Sequence, residues 1–295
     1  MDEKFLERIV HNHYIKNNGG RYLPTDILAA KGFHKLFEES KDLKLPKYKV
    51  GLMLISINEN YWQYTKDMIE GVRKYFLPGH DTEIMLWTDM PKEVSYGVTR
   101  FEARSMPFPH PTLRRYELFL EQKEYLQKFD YLFFMDIDMK IINIIGDEML
   151  GEGLTGAQHP MYALRQMFKA PYEQNPQSKA YVNVPQFYYA GGFQGGKADK
   201  FLEAMEVMQK NIEDDLSRNV IAKWNDESHW NRYLIDNPPS VVLSPSYVFP
   251  DSIIDEYYKK IWGTIYPPKI ICLTKPFALT PQGQEQLNKE LETLK

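Results

Sequence analysis

Two stretches of this chain stay apolar for about the length of one strand: YKVGLMLISI (48–57) and YLFFM (131–135). Neither divides into a polar and an apolar face, so each predicts a strand buried on both sides. A sheet with two buried faces needs helices above and below it, and the intervening segments have the matching patterns. YWQYTKDMIEGVRKYF (61–76) carries apolar residues at helical spacing and stops at LPGH. TEIMLWTD (82–89) reads as a second strand. TLRRYELFLEQKEYLQKF (112–129) reads as a helix behind the Pro-rich loop SMPFPHP (105–111). This alternation predicts an α/β fold with a Rossmann-like, mostly parallel central sheet flanked by helices.

Beyond residue 150 the pattern is less regular. Strands are expected at QFYYA (186–190) and PSVVLSP (239–245), and helices at 197–214 and 225–237. KIICLTK reads as another strand. Residues 1–46 are polar and broken by NNGGRYLP, which suggests a helical N-terminal appendage. The expected organisation is that appendage, one domain over 47–280, and a charged surface helix or tail over 281–295.

Of the 295 residues, 36 are basic and form no long block, and the net charge is −4. Nucleic acid is therefore not an expected partner. Cys272 is the single cysteine, which excludes an internal disulfide and a cysteine-rich zinc site, and a buried inert thiol is expected there. No stretch reaches the ~18 apolar residues of a membrane span. The opening MDEKFLERIVHNHY lacks the apolar core of a signal peptide. A cytoplasmic protein is the expectation.

The second buried run ends in charge. In FDYLFFMDIDMKI (129–141) two carboxylates, Asp136 and Asp138, follow directly on the apolar residues. In a strand, residues two apart point to the same side. The pair then repels itself unless a cation sits between or beside it, and hard divalent ions with oxygen ligands suit it. Ligands of parallel sheets bind beyond the carboxyl ends of the strands, where these two side chains are expected. A solvated turn explains the same string without a metal.

GGFQGGKA (191–198) comes close to a phosphate-binding loop. The glycines and Lys197 fit G-x-x-x-x-G-K, but Ala198 stands where a hydroxyl should ligate magnesium. A strand-end turn is the plainer explanation, and room for a bulky ligand group is a third. WNDESHWNRYL (224–234) fits a capped helix start, with Glu227 favouring the dipole. The grouping of Trp224, Glu227 and His229 is unusual for a cap alone.

Taken in order, MDIDM, FYYAGGFQGG, WNDESHWNRYL and VVLSPSYVF resemble the motifs of glycosyltransferase family 6, which contains the histo-blood-group A and B transferases and the α-1,3-galactosyltransferases. KYFLPGH (74–80), WTDMP (87–91), TLRRY (112–116) and QHPMY (158–162) follow the same template. The resemblance covers roughly residues 48–275. It implies a GT-A fold, a UDP-sugar donor, an oligosaccharide acceptor, manganese with magnesium as the alternative, and transfer with retention at the anomeric carbon. Asp136 and Asp138 are then the metal residues, with Asp138 the direct ligand and Asp136 nearer the ribose. Arg115 contacts the donor and Tyr61 stacks on uracil. Ser56, Ile57, Ala190, Gly191, Gly192 and Asp226 complete the donor site. Gly192 leaves room for an N-acetyl group, which favours GalNAc over galactose. His159, Trp224 and Glu227 meet the acceptor, and Glu227 is catalytic, as a nucleophile or as the partner of an oxocarbenium ion. Three features depart from the template. Asn225 replaces a histidine, SYVFPD is shifted about Asp251, and the basic tail has only Lys275 as a counterpart.

Two other functions fit parts of the sequence. A P-loop or DxD-type phosphohydrolase would use the glycines or the aspartates. A carbohydrate-binding protein that had lost catalysis would keep the pocket alone.

Overall fold

The computed structural model describes residues 47–91, 93–94, 97–163, 170–251 and 263–274. The helices expected within 1–46 and 281–295 lie outside these residues, as does Lys275.

The chain enters at β1 (Lys49–Ser56), runs through α1 (Glu59–Trp62) and α2 (Thr65–Tyr75), and returns as β2 (Asp81–Thr88) and β3 (Val98–Glu102). Three short helices follow: α3 (His110–Leu113), α4 (Arg115–Leu120) and α5 (Lys123–Leu126). β4 (Tyr131–Met135) turns into β5 (Met139–Ile141), and β6 (Leu154–Gln158) precedes α6 (Pro160–Ala163). The second half is β7 (Tyr189–Lys197), α7 (Ala198–Ser217), α8 (Asn225–Asp236), β8 (Val241–Leu243), β9 (Phe249–Pro250) and β10 (Ile270–Cys272).

Seven strands form one sheet in the order β3-β2-β1-β4-β7-β6-β8. β3, β2, β1 and β4 are mutually parallel, and β6 pairs parallel with β8. β7 alone runs antiparallel to both of its neighbours. The mostly parallel α/β sheet expected from the sequence is therefore present. β5, β10 and β9 form a second, three-stranded sheet.

Both faces of the large sheet are buried, and the residues of its central strands alternate between two cores. Val50, Leu52 and Leu54 of β1 join Tyr131 and Phe133 of β4 on the face covered by Met68, Ile69 and Val72 of α2. Met53, Leu132 and Phe134 lie on the opposite face with Phe119 of α4, Phe201 and Met205 of α7, and Trp230 of α8. All five residues of β4 are buried, each contributing about 1.5–3 kcal/mol.

Several local expectations need correction. The helix read over 112–129 is three short helices broken at Arg114 and near Gln122. β3, β5, β6 and β9 are short strands that the sequence reading left unassigned. The QFYYA strand begins only at Tyr189 and continues through the glycines to Lys197. Residues 191–197 are thus neither a strand-end turn nor a phosphate cradle. Cys272 is half-buried, not buried.

The glycines in β7 let neighbouring strands come close. A Cβ on Gly195 would lie 2.3 Å from Phe133 Cδ1 and 2.5 Å from the Leu132 carbonyl oxygen. Backbone cannot give way as a flexible side chain does, so Gly195→Ala is expected to cost about 1–3 kcal/mol. A thermal melt of the variant checks this, with Tm several degrees lower than wild type.

Candidate active site

The sheet order reverses between β1 and β4, and a crevice opens at their carboxyl ends, as expected for a parallel sheet. A cavity of about 140 Å³ lies there, lined by Ile57, Asn58, Tyr61, Arg115, Asp136 and Asp138 among others. That is smaller than the roughly 300–1,000 Å³ of a typical ligand pocket, so it seats part of a ligand and opens onto the surface. Ile57, Tyr61, Arg115, Asp136 and Asp138 all reach it. Ser56 does not. It is fully buried and its hydroxyl accepts from Thr65 Oγ1 at 3.1 Å, so a ligand could meet only its backbone.

The two aspartates come together by a different route from the one the strand spacing suggested. β4 ends at Met135, and residues 136–138 form the turn into β5. The Asp136 N–H donates to the Gly192 carbonyl at 2.9 Å, and the Met139 N–H donates to the Asp136 carbonyl at 3.2 Å. The turn nevertheless leaves both side chains on the cavity wall.

Arg115 opens α4 with its guanidinium buried against Phe134, whose ring centre is 4.2 Å away. Its Nη2 lies 3.5 Å from Asp136 and its Nε 3.3 Å from Asp226. Nη1 reaches the Gly191 carbonyl at 3.5 Å. Burial works against the positive charge, but Asp226 and Asp136 outweigh it and Asp138 adds to them, so the Arg115 pKa is raised. Burial pushes the Asp226 carboxyl up to about 6, with Arg115 opposing. Asp136 and Asp226 thus share the Arg115 guanidinium with Asp138 close enough to act on it, and hard oxygen donors of this kind fit a divalent cation. Among the described residues no group of three or more His, Cys, Asp or Glu could hold a metal. Asp136 and Asp138 would therefore supply only part of a shell.

Glu227 sits in the first turn of α8, and two contacts fix that helix against β7. The Asn231 side chain donates to the Tyr189 carbonyl at 2.8 Å and accepts from the Tyr189 N–H at 2.7 Å. A Cβ on Gly191 would stand 2.7 Å from Glu227 Cβ, so the strand and helix can approach this closely only at a glycine. The Glu227 carboxylate then accepts from the Gly191 N–H and from the Tyr188 O–H, each at 2.8 Å. Burial pushes its pKa up to about 7, while these two donors pull it back.

Gly192 and Ala190 occupy the same strand. A Cβ on Gly192 would meet Met139 Cε at 2.6 Å and Asp136 Oδ2 at 2.7 Å. The room beside Gly192 is therefore filled by two side-chain tips, and the space argued from the sequence opens only if they move. Ala190 is buried in the core on the α2 side. His159 packs tilted on Tyr162 and edge-on to Tyr188, with centroids 4.9 and 5.8 Å away, which brings it next to the residue that holds Glu227. Burial pushes the His159 imidazole down to about 4. Trp224 is 38% exposed at the N-terminus of α8.

The structure adds residues that the sequence reading missed. Tyr188 lay unassigned inside a quoted motif. Asn58 has φ 69° and ψ 163° on the cavity wall, a region otherwise occupied almost only by glycine and common at ligand sites. Nothing in its local sequence announces this. Asn225 also has a positive φ, 50°, and its buried Oδ1 has no hydrogen-bond partner among the described residues. Gln194 and Tyr116, both fully buried and polar, were detectable only as a polar residue inside a strand and a tyrosine on an apolar helix face.

Asp226 and Glu227 favour the neutral form when folded, since both pKa values exceed the ordinary 3.8 and 4.5. Stability from such groups is complete below the unfolded value and is lost as pH rises through the folded one. Glu227→Gln removes this loss while an amide can still accept from Gly191 and donate to Tyr188. The Tm difference between Glu227→Gln and wild type is therefore expected to grow in the variant's favour from pH 5 to pH 8. Melts across that range check it, and a constant difference contradicts it.

Comparison with known proteins accords with this geometry. The description Glycosyltransferase family 6 matches residues 28–261. Rat histo-blood group ABO system transferase 1 is 30% identical over 235 residues, covering 73% of this chain and 65% of that protein. Human globoside alpha-1,3-N-acetylgalactosaminyltransferase 1 is 31% identical over 215 residues, covering 68% and 61%. The Escherichia coli O-antigen biosynthesis glycosyltransferase WbnI is 33% identical over 147 residues, covering 49% and 62%. The chain spans less than two thirds of the length of each of these three relatives. No helix among the described residues is long and apolar enough to cross a membrane. With its GT-A-like α/β sheet and a match over most of its length, the chain belongs to glycosyltransferase family 6.

Proposed function

We propose that this protein transfers GalNAc, or galactose, from a UDP-sugar to a galactoside hydroxyl in α-1,3 linkage, with retention at the anomeric carbon. The observation that carries the reading is the Glu227 carboxylate, aimed by the Gly191 N–H and the Tyr188 O–H, beside the Arg115–Asp136–Asp226 group. The human relative's name, an N-acetylgalactosaminyltransferase, supports GalNAc as the donor sugar.

In this reading Tyr61 and the backbone at Ser56 and Ile57 seat the uracil ring at the cavity wall. Asp136 and Asp138 would hold Mn2+, or Mg2+, and the ion when bound would supply Lewis acidity toward a diphosphate. Arg115 faces the donor from a buried position and keeps its charge through Asp226. The acceptor packs against His159 and Trp224, whose ring faces suit the apolar side of a sugar. The bond from the anomeric carbon to the diphosphate oxygen breaks, the acceptor hydroxyl oxygen forms the new one, and the hydroxyl proton passes to the leaving diphosphate. Glu227 works on the sugar face away from the diphosphate, as a nucleophile or as the counter-charge to an oxocarbenium ion. Both roles need its carboxylate form.

A screen of UDP-sugars against a panel of galactosides, with and without EDTA, tests the reading. Transfer is expected with UDP-GalNAc above UDP-galactose, and EDTA is expected to abolish it. Faster transfer from UDP-galactose would reverse the donor assignment.

Glu227→Ala is expected to lose transfer by at least about a hundredfold while still binding UDP in calorimetry. Near wild-type turnover would remove Glu227 from the mechanism. Because the carboxylate is the working form and its pKa lies near 7, kcat/KM should rise with pH through that region. Tyr188→Phe should move that rise to higher pH, since it removes one of the two donors that favour the ionised carboxylate.

A further inference from the structure

Gln194 lies in the middle of β7, opposite Phe134 of β4 and Gly156 of β6. It is fully buried. An amide here costs free energy unless all of its polar atoms are bonded, and an apolar side chain of similar length would fill the space without that cost. Its contacts are nonetheless complete and join three elements. Nε2 donates to the Gly191 carbonyl at 2.9 Å and to Asp226 Oδ2 at 3.3 Å. Oε1 accepts from the Tyr116 hydroxyl at 2.8 Å. The carbonyl and the carboxylate only accept, so the amide nitrogen must face them and the orientation is fixed.

Each partner of Gln194 is one contact from the chemistry. The Gly191 residue held through its carbonyl donates its N–H to Glu227. Asp226 pairs with Arg115, which pairs in turn with Asp136. Tyr116 adjoins Arg115 in α4 and is itself fully buried. One side chain therefore sets three relations at once: strand to helix at Glu227, helix α8 to Arg115, and helix α4 to the strand.

We propose that Gln194 is a positioning residue for sugar transfer, holding the Gly191 peptide and Asp226 so that Glu227 and Arg115 keep their alignment. The inference rests on the assignment of Glu227 as the catalytic group. Gln194 touches neither the cavity wall nor the carboxylate of Glu227, so it acts through Gly191 on Glu227, which kcat reads, and through Asp226 on Arg115, which donor affinity reads. Misalignment of about 1 Å around a reacting centre is enough for a loss near a hundredfold.

The test uses the full chain and compares wild type with Gln194→Met and Gln194→Glu, reading UDP-sugar turnover, UDP affinity and Tm. Gln194→Met is expected to lower kcat by about 10- to 100-fold and to weaken UDP binding by a smaller factor, through Arg115. A purely structural role would lower Tm and leave kcat of the folded protein unchanged. Gln194→Glu keeps the shape and, when protonated, can still donate once and accept from Tyr116. Asp226 and Tyr116 face it directly, with Arg115 and Glu227 one contact further and Asp136 beyond Arg115. Its activity relative to wild type should therefore be highest near pH 5.5 and fall as pH rises to 8. Tyr116→Phe, which leaves Asp226 and Gly191 untouched, should lower kcat by less than Gln194→Met does.

A flat activity ratio for Gln194→Glu together with wild-type kcat for Gln194→Met would overturn the positioning role alone. No turnover of any UDP-sugar by the wild type would overturn the transferase reading, and this inference with it.

Discussion

The close approach of α8 to β7 is the contact on which the rest of the site depends. It exists because Gly191 has no side chain where Glu227 crosses the strand, and because Asn231 bonds both polar groups of Tyr189 like a neighbouring strand. A helix usually packs on a sheet through side chains, about 10 Å from its backbone. Here a backbone N–H reaches a helix carboxylate directly. That short path gives Glu227 a fixed direction through two neutral donors, the Gly191 N–H and the Tyr188 O–H.

The electrostatics follow from the same crowding. Asp136, Asp138 and Asp226 surround a single buried guanidinium, and Glu227 stands nearby with its pKa near 7. Breaking a buried ion pair of this kind leaves a charge without compensation and costs about 3–5 kcal/mol. Among the described residues, three carboxylates thus lie close to this guanidinium at the place where a diphosphate and its cation are expected. A region held at some cost to stability is common where binding or catalysis needs it. The strained backbone of Asn58 on the same wall belongs to that pattern.

The geometry also bears on the phosphohydrolase reading. A phosphate-binding loop wraps its ligand with successive N–H groups of a turn leading into a helix. Residues 193–197 pair with β4, and 194–196 also with β6, while the Gly191 N–H bonds Glu227, so the glycines serve close packing.

Much of this was legible from the residues. The unbroken apolar runs of β1 and β4 fixed two-sided burial, and two-sided burial in turn required helices on both faces and a mostly parallel sheet. The positions of Asp136, Asp138 and Glu227 in recognisable strings pointed to the chemistry. The short strands β3, β5, β6 and β9 were not legible, since runs of two to five residues carry no period of their own and form only against a partner. The break of the 112–129 segment into three helices, and the glycines lying inside a strand, were decided by neighbours distant in sequence. So were the turn that brings both aspartates to one wall, the occupied space beside Gly192, and the Tyr116–Gln194–Asp226 chain. Periodicity reports which side of an element is buried. It says nothing about which polar group waits on the other side, and only the packed structure sets that.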